Sequence, residues 1–353
     1  MIPADLGAEL TRAIRAAVAA GTLPPAAADA RPAGTWRPPP GRDDASYATS
    51  LPFELARLAG TGPEAIAARL AEALRGADLI SAAEPTGGGY LTITVTPQAL
   101  AGLAIRIAQA GPDCARSTAL RGATLPMPPL PDLAAAPSWP AAWRDQAAAL
   151  TGRLAATAGA TPEKRWRQLD GHPGQPVLQP SVAEAVAYAG AEAVRYALAR
   201  ALTEPAGGIE PRDLVTSDLT DPYYAVRFAH ADSASTLRRA AELGLPREEP
   251  DGHLAGLLGQ PPEIALLRQL SWLAERVAGT ARRRRPAELP RYLEEAARAW
   301  LDCRESCPAL PFGGQAAPRS AAGISARLWL ADATRTVLAT GQRLIGVTPR
   351  DRL

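Results

Sequence analysis

The apolar positions of the first 112 residues follow two periods. Leu6, Leu10, Ile14 and Val18 recur at helical spacing as far as Gly21, and the spacing predicts an amphipathic helix. Trp36-Arg37-Pro38-Pro39-Pro40 reads as a short extended piece stopped by its prolines. Asp44 to Ser50 leads into a helix with Leu51, Leu55 and Leu58 on one face, and a further helix carrying Ile66, Leu70 and Leu74 follows Pro63, a residue favoured in a first helical turn. The period then drops to two: after the turn Gly87-Gly88-Gly89, the segment Tyr90 to Val95 alternates, with Tyr90, Thr92 and Thr94 on one face. Residues 1–112 therefore read as an α+β unit.

The last third is helical throughout. Tyr224, Phe228 and Ala231 form a stripe that continues to Leu237; Ile264, Leu267, Leu270, Leu273 and Val277 form the next; Tyr292 to Trp300 and Leu328 to Leu344 complete a mainly α-helical C-terminal bundle. Residues 113–180 are rich in Ala and Pro, and Thr124 to Pro131 reads as an extended linker, with Trp139, Trp143 and Trp166 as apolar anchors. The predicted organisation is 1–112, a remnant or linker over 113–180, and 181–353.

Composition narrows the chemistry. With 353 residues and 47% hydrophobic content, the chain is long enough for two or three packed domains. It has no run of about 20 apolar residues and no basic, apolar leader at Met1 to Leu6, which makes a cytoplasmic protein the expectation. Cys114, Cys303 and Cys307 form no metal-binding spacing, and Cys303 and Cys307, one helical turn apart, read as core residues. No metal is expected. The net charge of +2 is too small to announce nucleic acid, and the preference for arginine over lysine is what a GC-rich genome produces. His230, with no carboxylate or thiol near it in sequence, reads as a core histidine.

Two segments carry a resemblance. Asp221-Pro222-Tyr223-Tyr224-Ala225-Val226-Arg227-Phe228-Ala229-His230-Ala231 resembles the Asn-Pro-Val-Tyr-Tyr-Val-Gln-Tyr-Ala-His-Ala-Arg helix that opens the anticodon-binding domain of arginyl-tRNA synthetases, and Ile324 to Pro349 resembles the end of that family. Gly190 to Arg200 is similar to the family's Gly-Ala-Asp-Ala-Val-Arg-Tyr helix. The segments around Tyr47 and Tyr90 resemble its N-terminal additional domain, which touches the tRNA D-loop. The resemblance implies a DALR-type helical domain. The family's His-x-Gly-His and Lys-Met-Ser-Lys-Ser signatures cannot be written from His172, His230, His253 and the single lysine, Lys164, and residues 113–180 are too few for a class I core. No intact Rossmann catalytic domain, no catalytic residue and no ATP site are expected.

The resemblance also assigns binding residues. Tyr90 takes the position of a base-stacking aromatic and Thr92 that of the amide two residues on; Tyr224, Arg227, Phe228 and the terminal Leu353 take positions used in anticodon recognition. Departures there are Ala225, Arg227, Phe228, Asp232, Cys303-Arg304 and Leu353, which predict altered anticodon reading. Two readings stand for Tyr90, a base-stacking residue or an edge-strand tyrosine. Two also stand for Arg282-Arg283-Arg284-Arg285, a solvated helix end or a phosphate-binding run. The partner expected is tRNA, arginine tRNA included, with neither membrane nor DNA. The alternatives are a docking module for a synthetase or another protein that no longer touches RNA, and arginine–tRNA ligase activity on family analogy alone.

Overall fold

The computed structural model describes all residues except 1, 42–44, 164–179, 203–207, 246, 249–253 and 311–319. Asp44, Lys164, Trp166, His172 and His253 lie outside the described residues. Fourteen α-helices are described: α1 (Ile2–Ala19), α2 (Leu51–Ala59), α3 (Pro63–Ala73), α4 (Pro97–Ala101), α5 (Leu103–Ala110), α6 (Trp139–Thr157), α7 (Val182–Ala189), α8 (Ala191–Arg200), α9 (Pro222–Glu242), α10 (Leu254–Leu257), α11 (Pro261–Ser271), α12 (Leu273–Arg283), α13 (Glu288–Ser306) and α14 (Ala321–Ile345). An antiparallel sheet of order β1-β2-β4-β3 is built from β1 (Trp36–Arg37), β2 (Ser46–Thr49), β3 (Ile80–Thr86) and β4 (Tyr90–Val95). A short parallel pair, β5 (Thr124–Leu125) with β6 (Thr161–Pro162), is the only parallel pairing among the described residues. The architecture is an α+β N-terminal region followed by a helical bundle.

The alternation along β4 sends Leu91, Ile93 and Val95 into the core, each no more than 2% exposed. Beside them on β2, Tyr47 is fully buried. Its hydroxyl donates to Ser271 Oγ at 2.9 Å and its ring lies 5.2 Å from that of Trp272, so a strand of the N-terminal region is bonded to the α11–α12 corner of the bundle. Burial raises the Tyr47 phenol above its ordinary range. A second tie grips one peptide. The N–H of Gly34 donates to Glu275 Oε2 at 3.1 Å while its carbonyl accepts from Arg282 Nη1 at 3.3 Å. Gly34 has φ +80°, and a Cβ there would overlap the Arg282 guanidinium.

The bundle is organised around α14, in which 19 of 25 residues are buried. A helix buried on nearly all sides needs neighbours on nearly all sides. α9 and α13 cover one flank, and α5 with the 3₁₀ turn Gly111–Ala115 covers another. One continuous apolar core consequently runs from Ile2 and Leu6 to Ile345 and Val347.

Residues 113–180, a remnant or linker by sequence, hold a helix that their apolar pattern does not predict: α6 is 19 residues long and its Leu150 and Leu154 enter the main core, because alanine, so frequent there, is the strongest helix former. α6 also terminates α14. Arg153 Nε donates to the Leu344 carbonyl at 3.0 Å and Gln146 Nε2 to that of Ile345 at 3.1 Å, satisfying acceptors that every helix leaves open at its C-terminus. The stripe from Ile264 to Val277 is two helices, with Trp272 at the break. Leu58 is 44% exposed and contributes little to its helix's buried face.

Gly341 decides how closely α13 approaches α14. In an ordinary helix interior alanine is favoured over glycine by about 1 kcal/mol, but a Cβ at 341 would overlap the fully buried Leu293 side chain. Overpacking costs about 1–3 kcal/mol. Gly341→Ala is therefore expected to lower the urea midpoint of unfolding with an unchanged denaturant slope; a raised midpoint would mean that Leu293 has room to turn aside.

Candidate nucleic-acid interface

The aromatic at the head of β4 has close company. Arg37 Nη1 donates to Tyr90 Oη at 3.0 Å, the Arg37 guanidinium carbon sits 4.4 Å from the centre of the Tyr90 ring, and Phe53 meets that ring edge-on at 4.9 Å. Arg37 is itself exposed. The arrangement presents a flat, cationic surface, suited to a base and its phosphate. Thr92, by contrast, is 2% exposed and its hydroxyl shares a 2.7 Å hydrogen bond with Thr86 Oγ1. The site residue assigned there by position is closed off by the β3–β4 pairing.

On α9 the helix start is set by Asp221, whose carboxylate accepts from the N–H groups of Tyr223 and Tyr224 at 3.0 and 3.3 Å, with Pro222 in the first turn. Tyr224 and Phe228, four residues apart, stack at 5.9 Å. Arg227 lies on the next face with its guanidinium 5.0 Å from the centre of the Tyr223 ring. All three are half-buried. Leu353 is 53% exposed at the chain end. The segment leading to it is clipped to α9: Arg238 Nη1 donates to the Asp351 carbonyl at 2.9 Å, and the buried His230 places Nδ1 3.1 Å from the Arg350 carbonyl. Burial lowers the His230 pKa, as suits a packing histidine that spends its ring on the tail.

Two of the departures on α9 and α13 turn out to be partners. Asp232 receives the Trp300 indole N–H at 2.9 Å and forms an ion pair with Arg304. These groups, with Thr236, Cys303 and Arg327, line a cleft of about 490 Å³. In the same wall Arg327 Nε is paired at 2.5 Å with the fully buried Glu263. Both cysteines are buried, and burial pushes the Cys303 thiol up to about 12, leaving it an inert core group. The acid and base at two positions that depart from the resembled family's pattern thus satisfy each other.

The arginine run is divided by the backbone. α12 ends at Arg283, and Arg284 takes the left-handed conformation (φ 51°), the one non-glycine residue to do so among those described. Arg282 is committed to Gly34 and Arg283 to Glu288. Arg284 and Arg285 are exposed and have no carboxylate partner among the described residues. The run is half fold and half free surface. Among the described residues no group of His, Cys, Asp and Glu is arranged to hold a metal ion, and no helix is long and apolar enough to cross a membrane.

Comparison with known proteins fits this geometry. Residues 8–95 match the arginyl tRNA synthetase N-terminal domain and residues 226–353 the DALR anticodon binding domain. Arginine–tRNA ligase of Frankia alni is 38% identical over 166 residues, 46% of this chain and 29% of that protein. The ligase of Kineococcus radiotolerans is 35% identical over 181 residues, 51% of this chain and 31% of its own. The matches span about three tenths of the length of these curated relatives. Arginyl-tRNA synthetase of Thermus thermophilus superposes with a TM-score of 0.67 at 14% identity, covering 100% of both chains, which speaks for the fold alone.

Asp232 ties α9 to α13, and its removal strands one indole N–H and one guanidinium. Hydrogen bonds to charged groups are worth about 1.5–3 kcal/mol, so Asp232→Ala is expected to destabilise by about that amount in urea titration. Asp232→Ala combined with Arg304→Ala should cost less than the sum of the single changes; strict additivity would show that the pair carries no coupling.

Proposed function

The chain belongs to the arginyl-tRNA synthetase family, and from that premise we propose that it is a non-catalytic tRNA-binding protein that works without ATP. The observation that carries the reading is the pairing of two domains, the family's N-terminal domain and its DALR domain, packed directly on each other through Tyr47 and Gly34. Between the two matched segments lie residues 96–225, which contain neither adenylate-forming signature. Amino-acid activation stabilises charge developing on ATP phosphates with preplaced donors, and the histidine pair and mobile lysines that would do so are not in this sequence.

On this reading Tyr90, backed by Phe53 and capped by Arg37, offers a stacking surface from the sheet, while Tyr224, Arg227, Phe228 and Leu353 offer a second surface from α9 and the chain end. Two features argue that the anticodon is read less closely than in the ligases. Ala225 stands where the resemblance places the second tyrosine of the family's pair, and Arg304 is spent on Asp232. Affinity then comes mainly from phosphate contacts and stacking, and discrimination among tRNAs is expected to be shallow.

The test has two arms. Purified protein is expected to give no arginine-dependent exchange of pyrophosphate into ATP, and exchange that survives repurification from host synthetase would overturn the non-catalytic reading. In fluorescence anisotropy with labelled tRNA, the parent protein should bind and Tyr90→Ala should weaken binding by about 1–3 kcal/mol, with Tyr90→Phe close to the parent. No binding by the parent would favour a protein-docking module instead.

A further inference from the structure

Between α6 and the α12–α13 corner runs a cleft of about 520 Å³, within the size range of small-ligand sites. Its two walls differ in chemistry. One is apolar, formed by Trp143 and Ala147 of α6 with Leu202, a leucine left 65% exposed. The other is cationic, formed by Arg284, Arg285 and Arg291, all exposed and without a carboxylate partner among the described residues. Glu288 also lines the cleft, but Arg283 holds it in an ion pair. Three guanidiniums and an indole thus line one cleft.

We propose that this cleft is a nucleotide subsite for single-stranded RNA, with a base laid against Trp143 and the flanking phosphates held by Arg284, Arg285 and Arg291. The proposal rests on the RNA-binding reading above and extends it to residues outside both matched domains: Trp143, Ala147 and Leu202 fall within 96–225, so half the cleft belongs to the intervening segment.

Three observations carry it. Trp143 is half-buried with its Nε1–H donated to the Ala201 carbonyl at 3.2 Å, which fixes the ring and leaves it no polar duty toward a ligand; stacking on aromatic faces is open to every base. Arg284 adopts a left-handed conformation that is strained for a non-glycine residue. The turn it makes, closed by the Arg285 N–H on the Thr280 carbonyl at 3.1 Å and by Pro286, carries Arg284 and Arg285 off the helix to the cleft while Arg282 stays with Gly34. The planar fork of arginine, finally, matches phosphate oxygens two at a time, and an unpaired trio around an apolar floor complements a phosphate-linked base better than an acidic peptide, which offers nothing to cover the indole.

The test compares two variants of the full chain, Arg284→Gln/Arg285→Gln/Arg291→Gln and, outside the cleft, Arg282→Gln, with a fluorescein-labelled, unstructured RNA ten-mer and an unmodified tRNA transcript. Arg283 is kept in both, so that Glu288 stays paired. All four positions are exposed, so folding is checked by the thermal midpoint alone. With the ten-mer, the triple variant should bind about tenfold more weakly near physiological salt, and its plot of log affinity against log salt should be flatter by about two, at about 0.7 per lost contact; Arg282→Gln should keep the parent slope. Trp143→Phe should remove most of the tryptophan quenching that the RNA produces in the parent. Equal slopes for parent and triple variant, with tRNA still bound, would overturn the subsite and leave the RNA reading standing. Quenching undiminished in Trp143→Phe would likewise overturn it. Binding of a glutamate-rich peptide but of neither RNA by the parent would overturn both.

Discussion

A 25-residue helix buried on nearly every side sets the terms for the rest of the molecule. α14 has no solvent face broad enough to let it stand at the edge of a bundle. α9 and α13 cover part of it, and the uncovered flank is met by α5 and the turn at Cys114, which belong to the N-terminal half. Its last carbonyls are closed by Arg153 and Gln146 from the intervening segment. Separating the three regions would expose apolar surface worth about 25 cal/mol per Å² and leave several acceptors unpaired. The family's two terminal domains therefore share one core here.

That constraint shapes the candidate interface. Because the N-terminal sheet is bonded to α11 and α12, Gly34 takes Arg282 out of the arginine run and Arg284 turns the remainder toward α6. Between α9 and α13, Asp232 and Arg304 neutralise each other at two positions that depart from the family's pattern. Cationic surface is withdrawn from one place and concentrated in another. The net charge of +2 conceals this redistribution, and it is the local arrangement of unpaired guanidiniums that sets how the surface meets a polyanion.

The bundle and the β4 strand were legible in sequence because their apolar residues keep strict periods: Leu91, Ile93 and Val95 at two, and Leu328 to Leu344 at three to four. α6 was not, since its buried residues, among them Trp139, Gln146 and Leu154, form no single apolar stripe and proline-rich sequence precedes it. The break at Trp272 was hidden because the stripe of leucines crosses it unchanged. Candidate site residues were legible as types and not as partners. Tyr90 could be placed at the head of a strand, but Arg37 above it is 53 residues away. Asp232 and Arg304 are separated by 72 residues, and nothing in either neighbourhood announces the pair. Thr92 fell on the face opposite the core in sequence, where β3 then covers it.

The account stands or falls on the two domains forming one body. Amide hydrogen exchange in low denaturant measures it directly, because it reads the free energy of opening residue by residue. The amides of Tyr47 and Ala48 in β2 and those of Val337 to Gln342 in α14 are predicted to open together, with the same free energy and the same dependence on denaturant. If β2 exchanges through a separate opening at distinctly lower free energy while α14 stays protected, the N-terminal sheet is a loosely docked module and the shared core proposed here is wrong.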